Sequence, residues 1–173
     1  AWLPPHAMQS GKAASQAHRG DFDYLIGNWT IRNRTLKEPL AGSDEWDEFD
    51  ATQNLRQILQ GFGNFDIFST EFDGKPFEGF TLRLFDPEAR TWSIWWAATT
   101  RPGHLDAPMV GRFAAGRGTF FGDDTHAGRP VRVRFEWKDI ALDSAVWEQA
   151  FSPDEGDSWE TNWVMTFSRR GDG

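Results

Sequence analysis

His104 and Asp106 stand two residues apart in the stretch Thr99 to Pro108, beside Pro102 and Gly103. An imidazole and a carboxylate have the group types for an acid–base pair, or for two metal ligands. The alternative is a solvated loop histidine. These two residues are the candidate catalytic pair. Asp123-Asp124-Thr125-His126 gathers oxygens and an imidazole that suit a divalent ion. Gly122-Asp123-Asp124 also reads as turn chemistry, and no metal site is assigned. Asp44, Glu45, Asp47, Glu48 and Asp50 alternate with Trp46 and Phe49, the pattern of a solvated strand edge rather than of paired acid and base. Ser69, Ser93, Ser144 and Ser168 have no histidine nearby in sequence, and there is no G-x-S-x-G elbow. The chain has no cysteine, which excludes disulfides, thiol nucleophiles and cysteine-ligated zinc.

The elements that must position such groups are strands. Ten tryptophans and fifteen phenylalanines in 173 residues fall in short alternating runs with turn residues between them. Aromatics at that density suit a pleated sheet with one buried face. Alternation and turn chemistry predict about ten strands: 29–36, 45–55, 65–72, 77–85, 91–98, 109–114, 118–121, 130–138, 145–151 and 159–169. Asp73-Gly74 predicts a tight hairpin. Asp86-Pro87-Glu88-Ala89 predicts a type I turn. Asp21 to Ile26 predicts one helical turn, while 52–60 is a helix candidate competing with the end of a strand. Consecutive strands on short turns make an antiparallel up-and-down meander, which closes most easily into a barrel. Residues 1–20, rich in Pro, Gly, Ser, Ala and Gln, read as a flexible arm and lack the pattern of an intact signal peptide, and Trp2 to Pro5 have the apolar character that could dock. The barrel domain then covers 21–170, and 171–173 form a tail.

Two motifs carry resemblances. Ser152-Pro153-Asp154-Glu155-Gly156-Asp157-Ser158-Trp159 fits S-x-D-x-G-x-x-W and resembles the Asp-box hairpin of sialidase propellers. In those hairpins the Asp and Ser tie the turn and the Trp packs beneath it, which implies local shape and no activity. Gly27-x-Trp29 opens the first long strand and Arg169 ends the last, which resembles the calycin superfamily of lipocalin-like and fatty-acid-binding-like barrels. The resemblance implies that Trp29 packs on Arg169 and closes the barrel base. Over 21–170, G-N-W-T-I-R-N-R, L-R-L-F-D-P with W-S-I-W-W, and W-E-Q-A-F-S with W-E-T-N-W-V-M-T-F are similar to an uncharacterised bacterial calycin-like family. That family implies a fold and no activity.

Side chains alternate with period two along a strand. Trp29, Ile31, Asn33 and Thr35 are expected to face inward. So are Phe80, Leu82 and Leu84, with Thr81 and Arg83 outward. Further inward sets are Trp92, Ile94 and Trp96; Val131, Val133, Phe135 and Trp137; Trp147, Gln149 and Phe151; and Trp159, Thr161, Trp163, Met165 and Phe167. Strands 45–55 and 65–72 allow either parity, so Glu48 and Asp50, or Phe49 and Gln53, meet the interior, with Asn54 and Ser69 also open. The predicted ligand site is walled by Trp96, Phe135, Trp147 and Trp163 and oriented by Asn33, Gln149 and Thr161, with His104 and Asp106 at the mouth. The alternative is that the inward amides bond one another in a filled core.

No cofactor is expected. Nitrobindin-type barrels share the predicted architecture, but haem needs an axial ligand, and no histidine falls on an inward strand face. A formal net charge of −8 repels phosphate backbones, so nucleic acid and anionic membranes are poor partners. No run of eighteen apolar residues suggests a membrane span. The expected compartment is the cytoplasm, with a periplasmic location after signal removal also open. Three functions stay in view: binding of a small hydrophobic or aromatic molecule; a lyase, isomerase or hydratase using His104 or an inward carboxylate; and a filled barrel serving as an interaction module through Trp95 and the arm.

Overall fold

The computed structural model describes residues 18–171. Its ten strands are β1 (Gly27–Leu36), β2 (Trp46–Ile58), β3 (Gly63–Phe72), β4 (Lys75–Asp86), β5 (Thr91–Ala98), β6 (Met109–Ala114), β7 (Arg117–His126), β8 (Arg129–Lys138), β9 (Ser144–Ser152) and β10 (Glu160–Arg169). Each pairs antiparallel with its neighbours in sequence, and β1 pairs with β10 to close the barrel. The fold is the expected all-β, up-and-down antiparallel barrel of ten strands. The predicted helical turn is present as a short 3₁₀ turn at Asp23–Leu25. The 52–60 candidate is not a helix: β2 runs through to Ile58, and only Leu59–Gly61 coils.

Three hairpins use the same turn. Asp73-Gly74, Ala115-Gly116 and Ala127-Gly128 have positive φ at both positions (51° and 76°, 51° and 76°, 50° and 78°). Such turns match the right-handed twist of the strands they join. The last of them corrects the reading of Asp123 and Asp124 as a turn: β7 continues through both to His126. Asp86 ties its own turn, its Oδ1 accepting from the amides of Glu88 and Ala89 at 2.9 and 3.2 Å.

The base closes as the resemblance implied. Trp29 and Arg169 are register partners on β1 and β10. The Arg169 guanidinium lies 4.2 Å from the Trp29 ring centroid. Its Nη1 donates to Ile26 O and its Nη2 to Tyr24 O, both at 2.7 Å, and Nε donates to Leu142 O at 3.0 Å. Trp29 Nε1 donates to Leu25 O at 2.9 Å. One arginine thus ties the 3₁₀ turn, the β8–β9 connection and the last strand together. Phe22 enters this end and meets Trp92 and Phe113 edge-on at centroid distances of 5.0 and 4.8 Å. Residues 18–20, assigned to the arm, pack here too: Arg19 covers the Phe62 ring at 4.8 Å. The rest of the arm, including Trp2 to Pro5, and residues 172–173 lie outside the described residues.

Four strands settle or reverse the expected parity. On β2, Phe49, Ala51, Gln53 and Leu55 face in. Glu48 and Asp50 face out and bind Arg32 at 3.3 and 3.1 Å. Asn54 also faces out, against Asn28. On β3, Asn64, Asp66 and Phe68 face in, so Ser69 faces out. On β4 the expectation was inverted. Phe77, Gly79, Thr81, Arg83 and Phe85 face in, while Phe80, Leu82 and Leu84 are half-buried on the outer wall. There they meet Ile67, Phe65, Trp95 and Ala97 across the ladders. Both faces of β4 carry apolar residues, so hydrophobicity alone chose the wrong one. On β10 a register shift between Thr161 and Trp163 leaves one extra residue opposite β9. Such a bulge inverts the faces on one side of it. Thr161 therefore lies across from Ala150 on the outer wall, and Asn162 is buried in its place. Trp159 is outside as well, beneath Arg134 at 4.5 Å.

Candidate ligand-binding site

The barrel interior holds a cavity of about 470 Å³. That lies within the roughly 300–1,000 Å³ range of small-molecule sites. Every wall comes from inward positions of the strands. Phe68 (β3), Trp96 (β5), Phe135 (β8), Trp147 (β9) and Trp163 (β10) surround it at mid-height. Trp147 meets Trp163 edge-on at 5.6 Å and Phe135 at 4.9 Å. Aromatic rings in these tilted contacts keep fixed orientations, because their quadrupoles favour edge-to-face geometry.

Two residues set the rings without forming the wall. Asn33 is fully buried, and Trp163 Nε1 donates to its Oδ1 at 3.0 Å. Its Nδ2 donates to Ile31 O at 3.3 Å. The expectation that Asn33 orients a ligand is corrected: its amide is spent on Trp163 and the backbone, and it does not line the cavity. Gly79 leaves the space that Trp96 fills. A Cβ there would sit 2.0 Å from Trp96 Cη2, so the indole lies against bare backbone. Gln149 lines the cavity as expected, and its Nε2 donates to Asn162 Oδ1 at 2.8 Å. Thr161 does not line it, for the bulge turns it outward.

The mouth is polar. Arg101, His104, Asp106, Asp123 and Asp124 border it. His104 Nε2 lies 3.1 Å from Asp106 Oδ1, so the pair does converge, and Arg101 Nη1 is 3.6 Å from the same oxygen. Both side chains stay in contact with solvent, at 45% and 39% exposure. The loop bearing them is pinned to the wall: Asp106 N donates to Trp96 O at 2.9 Å. It follows the upper half of β5, which has no β6 partner because that ladder spans only Trp92 to Ile94. The Asp123 and His126 groups do not form a metal site. His126 Nε2 is 3.1 Å from Pro39 O, and no cluster of three ligand-type residues occurs among the described residues.

The floor holds groups that hydrophobic patterning missed. Arg83 is 5% exposed and Asp66 is fully buried. Arg83 Nη1 lies 2.7 Å from Asp66 Oδ2 and donates to Asn64 Oδ1 at 3.0 Å. Burial pushes the Asp66 carboxyl above its ordinary value, while the Arg83 charge and the Thr81 hydroxyl pull it back. Gln53, Thr81 and Arg83 all reach the cavity, near the Phe22 ring that plugs the base. A sequence signal for this pair existed in the two apolar faces of β4 and the acid on β3, but no local rule links Asp66 to Arg83.

The fold and cavity together define a closed-barrel protein with an aromatic chamber open at one end. No protein-family model and no curated sequence matches the chain. Among solved structures it is similar to the S-type phycobiliprotein lyase CPES from Guillardia theta, at 12% identity and a TM-score of 0.61, over 94% of this chain and 98% of that one. It also matches a redesigned β-barrel at 10% identity and a TM-score of 0.49, over 89% of this chain and 97% of the other. No helix among the described residues is long and apolar enough to cross a membrane.

Proposed function

We propose that the protein binds a small, flat, largely apolar or aromatic molecule inside the barrel. The observation that carries this reading is the unfilled space of about 470 Å³ between Trp96, Phe135, Trp147 and Trp163. A filled core would have closed on itself, since protein interiors pack to the density of organic crystals. An unfilled apolar space lined by rings rewards an apolar occupant with dispersion contacts and water release. The neighbour that shares the barrel carries the name phycobiliprotein lyase, which accords with a small-molecule role for this architecture. Titration with anilinonaphthalene sulfonate, followed by tryptophan quenching, tests the reading. One saturable site is expected. Val133→Trp, which fills the cavity from β8, should weaken binding by at least tenfold; unsaturable quenching, or full binding in that variant, would contradict it.

A second reading has its own observation. His104 and Asp106 meet at 3.1 Å on the border of the same cavity, where an imidazole held by a carboxylate serves as acid and base on a bound molecule. On that reading the barrel is a lyase, isomerase or hydratase. His104→Ala would then retain affinity and abolish conversion of the bound compound, as followed by mass spectrometry.

A further inference from the structure

The cavity is polar at both ends, and the two ends differ in kind. At the mouth, Asp106, Asp123 and Asp124 outnumber the one arginine, Arg101. At the floor, the cavity-lining side chains Arg83 and Gln53 carry donors without partners, while the unpartnered oxygens of Asp66 lie behind them and off the cavity. A guanidinium has five N–H groups. Among the described residues, Asp66 and Asn64 both meet Arg83 through Nη1 alone, and Nε has no partner. Gln53 Nε2 is likewise buried without a partner.

We propose that this floor is an anion subsite: Arg83, with Gln53 beside it, receives the carboxylate of an aromatic acid whose ring lies between Trp96, Trp147 and Trp163. The proposal rests on the ligand-binding reading and adds the chemical class and the orientation of the bound ligand.

The placement is built into the ladders. Asn64 is the register partner of Arg83, and Thr81 that of Asp66. Strand β3 thus supplies two acceptors that hold one nitrogen of the guanidinium and fix the plane of the fork. Partners of this kind orient a binding group and leave its other face free. Arg83 reaches the floor from β4 and Gln53 from the adjoining wall on β2. An arginine is suited to a planar carboxylate because its donors match two oxygens at once. The acidic mouth reinforces the polarity. A carboxylate is disfavoured there and attracted at the floor, so the bound acid group sits at Arg83 with the ring toward the mouth.

The test uses naphthoate and its neutral counterpart naphthamide, titrated by tryptophan quenching. The wild-type protein is expected to bind naphthoate at least tenfold more tightly. The paired change Arg83→Met with Asp66→Asn removes both charges together and avoids leaving one buried alone. It should erase the preference while leaving naphthamide affinity within about twofold. Should that variant fail to fold, Gln53→Met in an otherwise unchanged floor must still narrow the preference severalfold. Equal affinities in the wild type, or a preference that survives loss of the pair, would overturn the anion subsite and leave the ligand-binding reading standing. If neither naphthalene compound nor anilinonaphthalene sulfonate binds, both readings fall.

Discussion

Trp163 shows how a single side chain holds the site in shape. Its indole forms a wall of the cavity, while its N–H points away and donates to Asn33 Oδ1. A buried N–H without a partner costs about 1–3 kcal/mol. Asn33→Leu is therefore expected to lower stability by about that amount and to loosen the ring. Ligand affinity should fall severalfold, and the Trp163 fluorescence should shift as its hydrogen bond is lost. Wild-type affinity in this variant would show that the bond has no part in the site. The types of these residues were legible in the sequence: an amide on an otherwise apolar face must be satisfied by something. What satisfied it was not, because Asn33 and Trp163 stand 130 residues apart. The same holds for Arg83. Period-two alternation on β4 offers one face of Phe80, Leu82 and Leu84 and another of Thr81 and Arg83, and hydrophobicity favours the first as inward. The floor of the cavity inverts that rule, since a buried arginine is stable only beside a partner such as Asp66, which lies on another strand.

At the scale of elements, parity was readable wherever alternation ran unbroken and one face was charged. Arg132, Arg134 and Glu136 leave no choice for β8, while on β5, which carries no charge, the alternation of Trp92 and Ile94 with Thr91 and Ser93 settles it. Bulges leave no such trace. The extra residue at Asn162 carries no glycine or proline to announce it, so unbroken alternation puts Trp159 and Thr161 inside, whereas they stand outside. The hairpin before it is marked more clearly, by the S-x-D-x-G-x-x-W motif. Asp154 Oδ1 accepts from Ser152 Oγ and from the Ser158 amide, both at 2.8 Å, and its Oδ2 from Ser158 Oγ at 2.6 Å. Gly156 N donates to Ser152 Oγ at 2.7 Å. These bonds, the Ser158 hydroxyl foremost, hold the Asp154 carboxyl below its ordinary value of 3.8. A group depressed in the folded state stabilises above its unfolded pKa and loses that contribution as pH falls through the lower, folded one. Asp154→Ala should thus melt about 2–4 °C lower at neutral pH. Thermal melts across pH should show the difference shrinking below 3.8, where the wild-type carboxyl protonates. A difference constant across that range would show that the charge has no role in tying the turn.

At the scale of the whole molecule, closure and emptiness have separate causes. Closure was legible because it depends on two residues of distinctive chemistry at opposite ends of the chain, Trp29 and Arg169, which meet as direct register partners. Emptiness was not legible. Whether ten strands enclose space or fill it depends on the summed volumes of inward side chains and on the bulge, and neither appears as a motif. The structure leaves room where Thr81 and Val133 are small among the lining side chains, while Trp147 and Trp163 pack on each other at the side of the space. Ligand binding by this barrel requires that the space be a chamber for an aromatic guest. Diffraction from crystals soaked with naphthoate tests this most directly. A planar guest between Trp96, Trp147 and Trp163, its carboxylate toward Arg83, is the expected result; an interior filled by collapsed side chains, with naphthoate bound elsewhere or nowhere, would contradict it.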